Sequence, residues 1–265
     1  MAAAGVASRR AAEAVIRSGR VRVDGRVVSD PAARCDPDRQ RVEVDGRRIA
    51  WPPRRVVVAL HKPAGYVTTR SDPRIRHTIY DLLRGAPAGL HPIGRLDAAS
   101  RGLLLLTNDG SLTQRLMRPA GHVPRVYRVR VRGLPEPRVL EALRQGVPLA
   151  DGRTRPAGVR VIAHDAAAGT ADLELTLYEG RNRQIRRMMA TVGHPVLDLE
   201  RVRVGPIGLG DLAEGRWRRL TPAEVRRLER AAAGHDPAGG PTERNARDRG
   251  AGRNPGGRGN QKLGR

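Results

Sequence analysis

An aspartate, Asp97, lies in the glycine-bounded segment Gly94-Arg95-Leu96-Asp97-Ala98-Ala99-Ser100-Arg101-Gly102. The apolar run Leu103 to Leu106 follows, and Thr107-Asn108-Asp109-Gly110 ends it as a turn. A tight loop before a buried strand holds an acid on a rigid frame. A carboxylate held in that way can attack an electrophilic carbon or take up a proton. Spacing alone leaves a second reading open, in which Asp97 and Ser100 simply start a helical turn. Asp109, at the end of the strand, reads as a structural turn residue.

Two further segments carry polar groups on ordered frames. Leu60-His61-Lys62-Pro63-Ala64-Gly65-Tyr66 follows an apolar run, and its Lys-Pro-x-Gly part reads as a turn packed against the Asp97 loop. Tyr178-Glu179-Gly180-Arg181-Asn182-Arg183-Gln184-Ile185-Arg186-Arg187-Met188-Met189 leads into a helix. Within it Ile185, Met188, Met189 and Val192 share one apolar face at i, i+3, i+4, i+7. Arg183 and Arg187 fall on the opposite face, and Arg186 on the flank.

The elements that position these groups are legible from periodicity. Arg54 to Leu60, Gly102 to Leu106, Arg125 to Val131 and Ala171 to Leu177 read as strands. Pro137 to Gln145, Asn182 to Val192 and Pro222 to Ala232 read as helices. The last has a full start signal: Thr221 as cap, Pro222 in the first turn, and Glu224 completing a capping box. These predict an α+β domain, a mixed, mostly antiparallel sheet flanked by helices, over residues 56–232.

Residues 1–48 read as a separate small α/β module. Ser8 caps a helix through about Ser18, and Gly19 stops it. Val21 and Val23 run up to Asp24-Gly25, and Val42 and Val44 up to Asp45-Gly46, each a hairpin-turn signal. The helix and hairpins carry Arg9, Arg10, Arg17, Arg20 and Arg22, a compact basic surface. Trp51-Pro52-Pro53 marks a linker over residues 49–55. Residues 233–265, rich in Gly, Arg and Pro, hold seven Arg and Lys against three Asp and Glu. They read as a disordered basic tail.

The chain of 265 residues has a formal net charge of +23. Such a field draws polyanions, and nucleic acid is the default partner. Of 50 basic residues only Lys62 and Lys262 are lysines, so Lys62 stands out. With no Phe, two Trp and four Tyr, a multi-aromatic base platform is excluded. No apolar run approaches the roughly 20 residues of a spanning helix, and no signal-peptide core opens the chain. A single cysteine, Cys35, leaves no intramolecular disulfide and no cysteine-cluster zinc site. The expected location is the cytoplasm, without membrane attachment. No metal cluster or nucleotide-binding glycine pattern is present, so no metal and no cofactor are expected.

The three motifs, in this order, resemble those of pseudouridine synthases, and specifically the RsuA family acting on ribosomal RNA. Asp97-x-x-Ser-x-Gly-Leu-Leu-Leu-Leu-Thr-Asn-Asp-Gly matches the family's catalytic segment along its length. Residues 5–13 and 19–25 resemble the RNA-binding S-four domain. The resemblance implies the pseudouridine synthase fold and isomerisation of a uridine in rRNA without a cofactor. It implies Asp97 as the catalytic carboxylate, Arg186 as its ion-pair partner, and Tyr127 as the side chain packed on the target base. Val196 or Leu197 would cover the base's other face. Arg9, Arg10, Arg20, Arg22, Lys62, Arg95, Arg183 and Arg187 would contact RNA. His61 stands where the family commonly has Asn. Ser71-Asp72-Pro73-Arg74 and Thr78-Ile79-Tyr80-Asp81-Leu82-Leu83 resemble the large-subunit (23S) members, so the expected partner is 23S rRNA or an assembling subunit, met by a monomer. The rival class is a noncatalytic rRNA-binding or ribosome-assembly protein that keeps the fold. A glycosidic hydrolase is a weaker rival, since it needs two carboxylates.

Overall fold

The computed structural model describes residues 1–234 except 2, 3, 5, 8, 37, 38, 51–54, 71–75 and 119–122. The expected cap Ser8, the Trp51-Pro52-Pro53 linker and the basic tail from residue 235 therefore lie outside the described residues.

The N-terminal segment forms α1 (Arg9–Arg17) and four short strands, β1 (Val21–Val23), β2 (Arg26–Val28), β3 (Val42–Val44) and β4 (Arg47–Arg48). They make an antiparallel sheet in the order β2-β1-β3-β4. The two Asp-Gly turns work as expected. Asp24, Gly25, Asp45 and Gly46 all have positive φ, between 48° and 80°, the left-handed pair that a two-residue hairpin needs. Ala4, Val21, Val42 and Ile49 form its small core.

The larger segment runs β5 (Val57–Lys62), a 3-10 turn (Ile79–Leu82), β6 (His91–Pro92), β7 (Arg101–Thr107), α2 (Gly110–Met117), β8 (Arg125–Arg132) and α3 (Pro137–Gln145). It continues with β9 (Pro148–Leu149), β10 (Gly152–Arg153), β11 (Gly158–Asp165), β12 (Thr170–Leu177) and α4 (Gln184–Thr191). Last come β13 (Val196–Val204), β14 (Ile207–Gly208), β15 (Trp217–Arg219) and α5 (Pro222–Ala232). The main sheet has the order β11-β12-β8-β13-β7-β5-β15, with β6 on β7 and β14 on β13. Every pairing is antiparallel except β13 with β7. This is the mixed, mostly antiparallel sheet expected.

Along β12 the even alternation of buried Ala171, Leu173, Leu175 and Leu177 packs one face onto Leu140 and Leu143 of α3 and Ile185, Met188 and Met189 of α4. A second cluster joins Leu103 and Leu105 of β7 to Leu112 and Leu116 of α2 and Leu228 of α5. The α5 start forms as read: Thr221 accepts from Glu224 N, Glu224 closes the box, and Arg218 grips the Glu224 carboxylate at 2.8 and 2.9 Å.

Three differences from the sequence reading have local causes. The helix expected from Asn182 begins at Gln184, because Arg183 sits at φ 46°, ψ 35°, a left-handed geometry that cannot continue a right-handed helix. The turn at Asp109 instead opens a helix, α2, whose first amides at Ser111 and Leu112 the Asp109 carboxylate accepts. Strand β13 went unread because its charged run Asp198 to Arg203 hides alternation. A register shift against β8 between Arg201 and Arg203 breaks the two-residue period.

Candidate active site

Asp97 lies in the loop between β6 and β7, and hydrogen bonds hold that loop at every step. Thr68 Oγ1 donates to Leu96 O at 2.9 Å. Ser100 N reaches Asp97 O at 3.0 Å and Gly65 N reaches Ala98 O at 2.8 Å. Arg186 Nη2 donates to Ala99 O at 3.1 Å. Lys62 Nζ donates to Ser100 O at 2.7 Å, Ala98 O at 3.3 Å and Pro63 O at 2.9 Å. All five carbonyls from Leu96 to Ser100 thus accept a bond. The Asp97 carboxylate, half-buried, makes no hydrogen bond or ion pair with the described residues. The backbone is fixed and the acid is left free.

Lys62 is corrected by this geometry. It was expected among the RNA-contacting cations, but it is wholly buried, at 0 % exposure. Its ammonium clamps the Asp97 loop from below and contacts no solvent. The Lys-Pro-x-Gly turn does pack on the Asp97 loop, as read. Burial lowers the Lys62 pKa from 10.5 to about 8; Asp97 opposes the shift and Arg201 adds to it. The unfolded chain therefore binds more protons than the folded one between pH 8 and 10.5, so this group's cost to stability fades as pH rises through that window. In urea unfolding, the stability of the native chain relative to Lys62→Met is expected to rise by roughly 3 kcal/mol across it. A difference that stays constant with pH would mean an ordinary lysine.

Asp97 faces a cavity of about 490 Å³, with Tyr127, Arg125, Ile185, Leu199 and Arg201 in its lining. Tyr127 on β8 stands opposite Arg201 on β13 and Leu175 on β12, and it lines the same cavity. Leu199 and Ile185, with Leu116, Val123 and Leu177, line the apolar side, and Val196 and Leu197 do not. Leu197 is exposed; the face of β13 that reaches the cavity begins two residues later.

Arg186 also differs from expectation. It was read as the ion-pair partner of Asp97, but no ion pair joins them. Its guanidinium holds the loop carbonyl of Ala99 and Val196 O. From the flank of α4 the side chain meets the loop backbone two residues past the acid.

Cations ring the mouth: Arg95, Arg118, Arg155, Arg181 and Arg183 all line the cavity. Arg95 and Arg183 were foreseen, and both are exposed. Arg187 is turned elsewhere, gripping both oxygens of Asp151 at 2.9 and 3.0 Å. In the N-terminal segment Arg20 pairs with Asp45, Arg22 donates to Gly25 O and Arg10 is exposed. The side chain of Arg9 is outside the described residues. His61 does not reach the cavity: its Nδ1 lies 2.7 Å from Leu212 O and its Nε2 3.4 Å from Glu200.

Sequence reading missed a second acid here. Glu179 lines the cavity, yet its carboxylate accepts from Gln184 Nε2 at 2.6 Å, Arg155 N at 3.0 Å and Arg181 Nε at 3.3 Å. A hydrolase would need an acid free to donate a proton; this one is committed to holding the α4 entry loop. Arg201 was missed too, because the strand that carries it, β13, went unread. Among the described residues no group of three or more His, Cys, Asp or Glu is placed to hold a metal ion, and no helix is long and apolar enough to cross a membrane.

The sequence profile of RNA pseudouridylate synthases matches residues 56–191. The chain belongs to that family. The S4 domain profile matches residues 1–40. An RNA pseudouridine synthase of Aquifex aeolicus is 39% identical over 229 residues, 86% of this chain and 91% of the relative. The ribosomal large subunit pseudouridine synthase B of Bacillus subtilis is 40% identical over 235 residues, 89% and 95% of the two chains. A crystal structure of a pseudouridylate synthase aligns with TM-score 0.61 and 29% identity, covering 83% of this chain and 94% of that one. The pseudouridine synthase is therefore an isomerase acting on RNA, with an RNA-binding domain at its N-terminus.

Proposed function

We propose that this pseudouridine synthase isomerises a specific uridine of 23S ribosomal RNA, acting as a cytoplasmic monomer and needing no cofactor. The observation that carries the reading is the free carboxylate of Asp97 on a fully bonded loop, facing a cavity with Tyr127 in its wall. The large-subunit enzyme of Bacillus subtilis, similar over 89% of the chain, supports the choice of rRNA.

A cavity of this kind suits a target that leaves its stack and turns into the protein. Tyr127, with Leu199 and Ile185, gives the base an apolar slot. The arginines at the mouth meet the phosphates on either side. The S4 domain, through Arg9, Arg10, Arg20 and Arg22, adds a second grip on the same RNA. Asp97 then acts on the sugar, either forming a bond to C1′ or removing the C2′ proton. Arg186 serves by fixing the Ala99 carbonyl, and so the height of the Asp97 loop.

A noncatalytic rRNA-binding protein would explain the charge. It would not call for five bonded carbonyls around an unpaired acid. The test is pseudouridine mapping of rRNA from cells lacking the protein. One modified position in 23S rRNA is expected to revert to uridine; an unchanged map of both rRNAs would refute the assignment.

A further inference from the structure

Arg201 makes far fewer bonds than its surroundings demand. It is 3% exposed, and its Nε donates to Leu103 O at 2.7 Å. Its Nη2 is buried with no partner, and neither Nη atom bonds to any described residue. A guanidinium carries five N–H donors, so four are unused. Holding one carbonyl does not require a buried charge, and an uncompensated buried cation is costly. Each such group in a native structure asks for a reason.

Its position supplies one. Arg201 lines the same cavity as Asp97 and Tyr127. It stands directly across from Tyr127 on β8, and from Gly102 on β7. Arg125, half-buried in the same wall, donates to Leu116 O at 3.3 Å. Of the two acids lining the cavity, Glu179 is fully engaged and Asp97 is free. The Asp97 carboxylate and the Arg201 side chain thus both line one cavity of about 490 Å³.

We propose that Arg201 stabilises the negative charge that develops on the uracil as it leaves the sugar. The inference rests on the isomerase reading above and extends it to a second reacting-site residue. When the C1′–N1 bond breaks, its electron pair passes to the ring and spreads over N1, O2 and O4. At the sugar the deficit is met by an Asp97 oxygen bonding to C1′, or by the C2′–H pair as that proton goes to Asp97. The uracil turns and its C5 bonds to C1′, as the Asp97–C1′ bond breaks and its pair returns to the carboxylate or, on the other route, as Asp97 gives the proton back to C2′; the C5 proton is then lost and N1 takes one up. A fixed donor aimed at developing charge lowers the barrier without tightening ground-state binding.

Two measurements test this. In single turnover on 23S rRNA, Arg201→Gln is expected to lower the saturating rate about 10²–10³-fold, with RNA affinity within threefold. Arg201→Lys, which keeps the charge, should recover at least tenfold of that loss. Equal losses in Gln and Lys variants, or weaker RNA binding at a normal saturating rate, would overturn the proposal. The second uses barbiturate, a uracil-shaped ring that is anionic at pH 7, followed by ligand NMR on the full chain. The native protein should bind it at least tenfold more tightly than Arg201→Gln, while neutral uracil shows no such difference. Equal barbiturate binding would overturn the proposal whatever the RNA result. If the native chain fails to turn over rRNA yet shows the barbiturate difference, the rRNA reading fails and the Arg201 site stands.

Discussion

Asp97→Asn is expected to abolish pseudouridine formation, lowering the single-turnover rate by roughly 10⁴-fold or more, the scale on which loss of a reacting side chain acts. RNA affinity should remain within a few fold. The asparagine is the same size and the loop is held through backbone carbonyls, not through the carboxylate, so the fold has no reason to change. On the proposed reading RNA binding is spread over the arginines of the cavity mouth and the S4 domain, none of which is hydrogen-bonded or ion-paired to the Asp97 carboxylate. Stopped single-turnover assays with saturating RNA, together with filter binding, separate the two effects. An asparagine variant that retains full turnover would remove Asp97 from the chemistry.

Gly102→Ala is expected to be a severely damaging small substitution. Gly102 has φ +106°, and a Cβ there would lie 2.4 Å from Arg201 O and 2.6 Å from Arg201 N. Those atoms are backbone, in the one parallel pairing of the sheet, so no side chain can swing aside. The added methyl would force β7 from β13, and with it the Asp97 loop from Arg201 and Tyr127. A loss of about 4 kcal/mol or more is expected, in the range kept for strained backbone and overpacked cores. Gly110→Ala is the control, since a Cβ there meets nothing within 4 Å; it should change stability by less than about 1 kcal/mol. Urea unfolding of both variants makes the comparison. Similar stabilities would mean that the β7–β13 approach is looser than the geometry indicates.

The parts of this molecule that were readable in advance obey local rules. The Asp-Gly turns and the Thr221 capping box are written in a few neighbouring residues, and they formed as read. The Leu103 to Leu106 strand is a continuous apolar run because both its faces are covered. What could not be read depends on contacts distant in sequence. Lys62 is next to Pro63 in the chain, but its other partners, Ala98 and Ser100, come from a loop some 36 residues later. Nothing in the local pattern distinguishes a buried clamp from a surface cation. Arg186 was placed near the right loop but on the wrong atom, because reach along a helix flank does not decide between a carboxylate and the carbonyl beside it. Arg201 looks like one more arginine in a charged strand; only the register against Gly102 and Tyr127 turns it inward.

Isomerisation of uridine in this cavity would leave a direct chemical trace. Rejoining the base through C5 must expel the C5 proton, so each turnover releases one label from rRNA transcribed with [5-³H]uridine. Purified native protein in EDTA, without added cofactor, is expected to release tritium up to about one equivalent per 23S rRNA, and Asp97→Asn to release none. No release by the native chain, or equal release by the two proteins, would contradict the account.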